Sequence, residues 1–203
     1  LTASQTPIDS GFTDPTSARG RLLLQAAHLF REKGYERTTV RDLAAAVGIQ
    51  SGSIFHHFRT KEEILQAVMT EAILFNTQRM RERLAGADTV EEELRALVAC
   101  ELESINGDTG EAMTVLVYEW RSLSESSQKR ILKLRDTYEG LWMDVLTRAS
   151  EQGLIRADPF VMRRFLTGAL SWTITWYRAD GGMTLSDLAD QIMAMLHLPA
   201  GEH

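Results

Sequence analysis

The sequence predicts an all-α protein: an N-terminal three-helix unit containing a helix-turn-helix, followed by a larger helical bundle, with about nine helices in total. Three observations lead there. Apolar residues recur at helical spacing over almost the whole chain, while strand-like alternation is nearly absent. Turn and cap chemistry, not long loops, interrupts that period. The charge is also divided: residues 15–65 hold eight Lys or Arg against five acids, a surplus of +3, so the rest of the chain carries −9 of a formal −6. One basic end on an acidic body is the layout of a molecule that offers one end to nucleic acid.

The bulk properties narrow the class further. With 203 residues and 44% hydrophobic content, the chain can bury real cores. Four prolines, and no run of about 20 apolar residues, argue against a low-complexity scaffold and a membrane span. Cys100 is the single cysteine, which excludes an intramolecular disulfide and any multi-cysteine metal site. Leu1 to Asp14 lack the basic and apolar regions of a secretory signal and read as a flexible arm, so the expected location is the cytoplasm. Phosphate loop, paired zinc histidines and nucleophile elbow are all missing. The expectation is therefore a non-enzyme with no cofactor and no metal.

In chain order, residues 1–15 are expected to form the arm, 16–65 the basic unit that carries the helix-turn-helix and 66–203 the acidic helical body. The first helix runs from about Thr16 to Lys33, with Leu23, Ala27 and Phe30 on one stripe and Gly34 as its stop. A second follows Thr38-Thr39, turns Val40, Leu43, Ala44 and Val47 inward and stops at Gly48. A short third spans about Ser51 to His57, with Ile54 and Phe58 inward. Thr60-Lys61-Glu62-Glu63 has capping-box spacing and opens a long fourth helix reaching about Arg83. Further helices are expected near 90–105, 110–121, 125–152, 158–178 and 184–197. Gly86-Ala87-Asp88, Asn106-Gly107-Asp108, Ser122 to Ser126, Gly153 and Gly181-Gly182 separate them, and Asp158-Pro159 supplies an N-cap with proline in the first turn.

The stretch from Thr39 to Phe58 has the layout of a helix-turn-helix. Ala44 is small where two helices cross, Gly48 permits the turn, and Ile49 and Ile54 lock the second helix to the first. Gln50, Ser51, Ser53, His56 and His57 are left outward, so that a short helix presents polar groups and free amides to a major groove. The run Ala26-Ala27-x-Leu29-Phe30-x-x-Lys33-Gly34-Tyr35-x-x-Thr38-Thr39-Val40-x-x-Leu43-Ala44-x-x-x-Gly48-Ile49, continued by Ser51-Gly52-Ser53-Ile54-Phe55-His56-His57-Phe58-x-x-Lys61-Glu62, closely resembles the tetracycline-repressor (TetR) family of one-component regulators. The resemblance implies a homodimer, double-stranded operator DNA as partner, and a body whose occupancy by a small molecule alters DNA affinity. Carried over by position, Thr39 and Lys61 touch phosphate, Arg41, Gln50, Ser51, Ser53 and His56 lie at or near bases with Gly52 among them, and His57 sits beside the backbone. The family usually has tyrosine where this chain has Phe55, which keeps the ring packing and loses a hydroxyl contact to phosphate. Readings that need no DNA remain beside these: Thr39 as a plain cap, Arg41 as a solvated cation, and His56-His57 as an exposed pair or weak metal ligands.

In the body, Phe165, Ala169, Trp172 and Trp176 share a stripe that mixes small residues with large aromatics. With Leu188, Ile192 and Met195 of the last helix it resembles the family's four-helix dimer interface, intrachain core being the alternative. Leu97, Cys100, Met113, Val117, Trp120, Trp142 and Val145 are candidate walls of a cavity for a small hydrophobic or amphipathic effector, or simply core. Gly168 to Arg178 and Glu119-Trp120-Arg121 are similar to a subgroup responsive to acyl-CoA thioesters, which implies that Arg121 or Arg178 meets an anionic ligand. A DNA-binding architectural or constitutive regulator without an effector is the competing function. The size of the acidic body favours the sensor.

Overall fold

The computed structural model describes residues 13, 14 and 16–196; most of the arm assigned to 1–15, and His197 at the expected end of the last helix, lie outside the described residues. Nine α-helices are present among the described residues: α1 Ala18–Lys33, α2 Val40–Val47, α3 Ser51–Ile54, α4 Lys61–Ala85, α5 Val90–Asn106, α6 Gly110–Tyr118, α7 Glu125–Glu151, α8 Pro159–Trp172 and α9 Leu185–Leu196. None of the described helices is long and apolar enough to cross a membrane.

Local chemistry accounts for the boundaries. Ser17, Thr39, Thr60, Thr89, Ser124 and Asp158 each accept a backbone N–H at a helix start, satisfying donors that have no intrahelical partner. At Thr60 the expected reciprocal box is displaced by one residue: Glu63 N–H donates to the Thr60 hydroxyl at 3.1 Å, but the Glu63 carboxylate accepts from Arg59 N–H at 2.7 Å. Gly48 takes φ +71° in the left-handed region and returns its N–H to the end of α2, which makes the α2–α3 turn.

Three expected helices end early. Regular helix in α3 stops at Ile54, and the chain continues to His57 as turns. The helix expected to reach residue 121 ends at Tyr118, followed by a 3-10 turn over Trp120–Ser122. The helix expected to run to 178 ends at Trp172 and is followed by a 3-10 turn over Thr173–Thr175, so Trp176 lies beyond α8. Tight i→i+3 turns at helix ends satisfy the last carbonyls without extending the cylinder.

Two apolar clusters organise the molecule. One gathers Leu22, Ala26 and Phe30 of α1, Leu43 and Ala44 of α2, Ile54, Phe58, and Ile64 and Leu65 of α4, and continues into Val115 and Leu116 of α6 and Ile131 of α7. The other surrounds the fully buried Trp142 with residues of α5, α7, α8 and α9. Helix α4 contributes to both, so the N-terminal unit joins the body through packed helix faces with no intervening linker.

Candidate nucleic-acid interface and effector cavity

The N-terminal unit presents its polar residues on α2, α3 and the turn after α3. Arg41, Gln50, Gly52, His56 and His57 are exposed, and Ser51 and Ser53 are half-buried. Gln50 occupies the N-cap position of α3, is exposed, and makes no side-chain cap bond there. Thr39 is the N-cap of α2 in a complete box with Asp42, its Oγ1 accepting from Asp42 N–H at 3.1 Å and the carboxylate accepting from Thr39 N–H at 2.8 Å. The backbone and hydroxyl bonds from Thr39, with Lys33 near, hold the Asp42 carboxyl below its usual range. A Cβ built on Gly52 would meet nothing within 4 Å.

Three residues differ from expectation. The Phe55 ring is 55% exposed, so packing inside the chain does not explain it; Ile49, expected to lock the turn, is 38% exposed, and Ile54 at 1% does that work. Lys61 is turned inward: its Nζ donates to the carbonyls of Tyr35 at 2.8 Å and Thr38 at 3.0 Å and lies 4.1 Å from the Tyr35 ring centroid. It ties the α1–α2 connection to the start of α4, and a phosphate contact would compete with these bonds. Among the described residues no group of three or more His, Cys, Asp or Glu could hold a metal, so His56 and His57 have no third ligand there.

The body contains a cavity of about 380 Å³ walled by α4 to α8. Met113, Val117 and Trp120 line it as expected, together with Ile73, Ile105 and Ile174. Leu97, Cys100, Trp142 and Val145 do not: each is at most 1% exposed inside the body core, where burial pushes the Cys100 thiol up. Arg121 is exposed and off the cavity, as is Arg178, which pairs with Asp180 at 3.1 Å.

A polar cluster that the helical period did not reveal lines the same space. Glu101 Oε2 accepts from the Tyr138 hydroxyl and, at 3.1 Å, from Trp142 Nε1. Burial, reinforced by Glu101, raises the Tyr138 hydroxyl well above its ordinary value, so it stays a neutral donor. Arg163 donates through Nε at 3.0 Å and Nη2 at 2.8 Å to the two oxygens of Glu139, and its guanidinium lies 4.4 Å from the Trp142 ring centroid. Burial works to raise the Glu139 carboxyl, but the Arg163 bonds and the neighbouring arginines prevail and it ends below the usual range.

The cavity and the N-terminal unit share α6. Met113, Val117 and Tyr118 of this helix, and Trp120 just after it, line the cavity. The same segment reaches α1 and the turn beyond it: Glu111 meets His28 Nδ1 at 3.0 Å and Arg31 Nη1 at 3.2 Å, and Glu119 Oε1 accepts from Tyr35 N–H at 3.0 Å. A second strut joins α7 to α4, where Glu62 accepts from Ser124 N–H at 2.9 Å and from the Ser127 hydroxyl at 2.8 Å.

On the far side of the body, α8 and α9 border an open groove of about 930 Å³. Phe165, Ala169, Trp176, Leu188, Ile192 and Met195 all line it. Phe165, Trp172, Trp176 and Met195 are 51% to 67% exposed, whereas Leu188 and the half-buried Ile192 also pack into the body core.

Comparison with known proteins places this architecture. The family described as "Bacterial regulatory proteins, tetR family" matches residues 22–68, and "Tetracyclin repressor-like, C-terminal domain" matches residues 87–198. The HTH-type transcriptional repressor KstR2 of Rhodococcus jostii (strain RHA1) is 32% identical over 195 residues, covering 94% of this chain and 95% of that protein. KstR2 of Mycobacterium tuberculosis (strain H37Rv) is 31% identical over 185 residues, covering 89% and 91%. Among solved structures, the superantigen PfiT is 63% identical with a TM-score of 0.77, covering 91% of this chain and 98% of that one. AibR in complex with isovaleryl coenzyme A and operator DNA is 26% identical with a TM-score of 0.79, covering 90% and 99%. With both of its parts matched and repressors related along nearly its full length, this chain belongs to the TetR family of DNA-binding transcriptional regulators and is not an enzyme.

Proposed function

We propose that this regulator is a repressor that binds a pseudo-palindromic operator as a homodimer and is released when a small amphipathic effector, an acyl-CoA thioester, fills the cavity of the body. The observation that carries this reading is the double role of α6, one part of which walls the cavity while Glu111 and Glu119 hold α1 and the turn after it. An effector that moves α6 thereby moves the N-terminal unit, and differential affinity for two arrangements is all that release requires. The ligand class rests on the likeness to AibR, which was solved with isovaleryl coenzyme A and operator DNA, and on a cavity that joins apolar walls to a few charged groups.

In this reading residues 16–65 bind DNA and 66–203 sense and dimerise. Arg41, Gln50, Ser51, Ser53 and His56 read or approach bases, Thr39 and His57 lie at the backbone, Gly52 lets α3 come close, and Lys61 reaches phosphate by giving up a carbonyl. The exposed aromatic strip on α8 and beyond it is the dimer face, since two recognition helices about 34 Å apart match one turn of duplex. A constitutive regulator would leave the cavity without a purpose.

Fluorescence anisotropy at fixed salt, with a duplex from the chain's own promoter region and a scrambled duplex, with and without isovaleryl-CoA and longer acyl-CoAs, tests the proposal. Promoter-selective binding weakened by one thioester is expected. Selective binding that no thioester alters would return the account to a constitutive regulator. The 63% identity to PfiT favours a second activity, that of a superantigen, which stimulation of T cells by the endotoxin-free chain would test.

A further inference from the structure

Helix α3 ends on an aromatic residue that the fold does not use. Phe55 follows Ile54 as the C-cap residue and keeps right-handed helical geometry, so helical spacing continues through it. Ile54 and Phe58 turn inward and are buried, whereas Gly52, Phe55 and His56, at i, i+3 and i+4, are all exposed and share the outward face. The Phe55 side chain is 55% exposed, and among the described residues neither a ring nor a cation stacks on it. Nor does the ring fold back along the helix, because a Cβ built on Gly52, one turn earlier, would meet nothing within 4 Å. A bare phenyl ring therefore stands on the same short helix as Gln50, Ser51 and Ser53.

Single exposed apolar side chains are ordinary on a protein surface. This one is set among polar groups in the helix-turn-helix, inside the stretch 22–68 that matches the regulatory-protein family. A phenyl ring has no donor and no acceptor, so it cannot read the hydrogen-bonding edge of any base. The one apolar group that the four bases show in the major groove is the C5-methyl of thymine. That methyl lies at the margin of the groove, beside the phosphates of its own strand. Phe55 likewise lies at the margin of α3, at its end and next to the exposed His56 and His57.

We propose, resting on the reading of α3 as the helix that meets bases, that Phe55 is a specificity-determining residue whose ring packs on the C5-methyl of one thymine in each operator half-site. It selects thymine by burying an apolar group, where its polar neighbours on α3 select by hydrogen bonds. Gly52, with no side chain one turn earlier, keeps the approach to the ring clear.

The test lets the full chain select its preferred duplex from a random pool, and anisotropy then compares that duplex with a copy carrying deoxyuridine for every thymine, which removes only the methyls. The parent chain is expected to bind the uracil copy about fourfold more weakly for each methyl that Phe55 covers, and roughly fifteenfold over two half-sites. Phe55→Ala should lose that share of the discrimination, and Phe55→Tyr, which keeps the ring, should retain it. Other methyl contacts are common to the three proteins and cancel in the ratio. Phe55→Ala should also melt within about 2 °C of the parent, as an exposed side chain allows; a large fall would assign the ring to the fold and overturn the proposal. So would a thymine-to-uracil ratio equal in the parent and Phe55→Ala, or a Phe55→Ala chain weakened as much on a scrambled duplex as on the selected one, since the ring would then touch only sugar and phosphate. Those outcomes leave α3 as the reader of bases, whereas a pool from which the parent enriches no sequence would overturn both.

Discussion

Removing the Glu119 carboxylate cuts the bond by which the cavity-lining segment grips the turn after α1. In Glu119→Ala the Tyr35 N–H loses its acceptor at 3.0 Å and the Ser122 hydroxyl loses its partner at 2.9 Å. A part-buried backbone donor left unsatisfied costs about 1–3 kcal/mol, and a protein of this size loses about 2–4 °C of Tm per kcal/mol. The expected fall is therefore roughly 2–12 °C by circular dichroism. Glu119→Gln keeps an amide oxygen for Tyr35 N–H and should stay near the parent. Operator affinity without effector should change less than the response to effector, because Glu111 and Glu62 still hold the unit in place. Coupling between sites is commonly worth about 5–150-fold, and losing one strut should shrink the ratio of operator affinities without and with hexanoyl-CoA by roughly fivefold. A Glu119→Ala protein that is destabilised as expected but keeps the full effector response would refute the idea that this bond transmits the signal.

Other expectations follow from single sites. Gly52→Ala should leave thermal stability unchanged or raise it by up to about 1 kcal/mol, since the added methyl meets nothing and alanine is the better helix former, while anisotropy shows weaker operator binding; Gly48→Ala, at φ +71°, should instead lose about 1 kcal/mol. Trp172→Glu should abolish dimerisation in light scattering while leaving far-ultraviolet dichroism intact, because the side chain is 67% exposed in one chain. The Glu139 carboxyl is held below its unfolded value, so its contribution is present above the unfolded range and is lost as pH falls through the folded value. Acid unfolding between about pH 5 and pH 3 should then be shallower in Glu139→Gln, and an unchanged acid limb would count against the Arg163 pair.

Helices and their stops were legible because their causes are local. Thr39, Thr89, Ser124 and Asp158 cap within three residues of themselves, and Gly48 turns the chain where the apolar stripe of α2 ends. The early end of α8 was not legible, since Thr173 to Trp176 continue a helical apolar period, and what stops them is tertiary: Thr173 Oγ1 accepts from Asn106 Nδ2 of α5 at 2.8 Å. On α6 the walls of the cavity coincide with residues of the apolar stripe, and on the neighbouring helices they lie about one turn from it. On α5 the wall is Glu101 and Ile105 where Leu97 and Cys100 were expected, and on α7 it is Arg135, Tyr138 and Glu139 where Trp142 and Val145 were expected. These shifts run in opposite sequence directions on the two helices, which together displace the cavity toward the ends of α5 and α7 nearer α6. Glu101, Glu139 and Arg163 escaped notice because charges on amphipathic helices ordinarily face water, and a pairing across α5, α7 and α8 has no signature in any one of them.

The central claim is that effector and operator compete through two arrangements of one molecule. Titrating hexanoyl-CoA into the free chain and into the chain saturated with its promoter duplex, at one salt concentration, tests it directly. The account predicts weaker thioester binding to the DNA-bound form, by the same factor by which the thioester lowers operator affinity, as linkage requires. Equal affinity for the free and DNA-bound forms would contradict it.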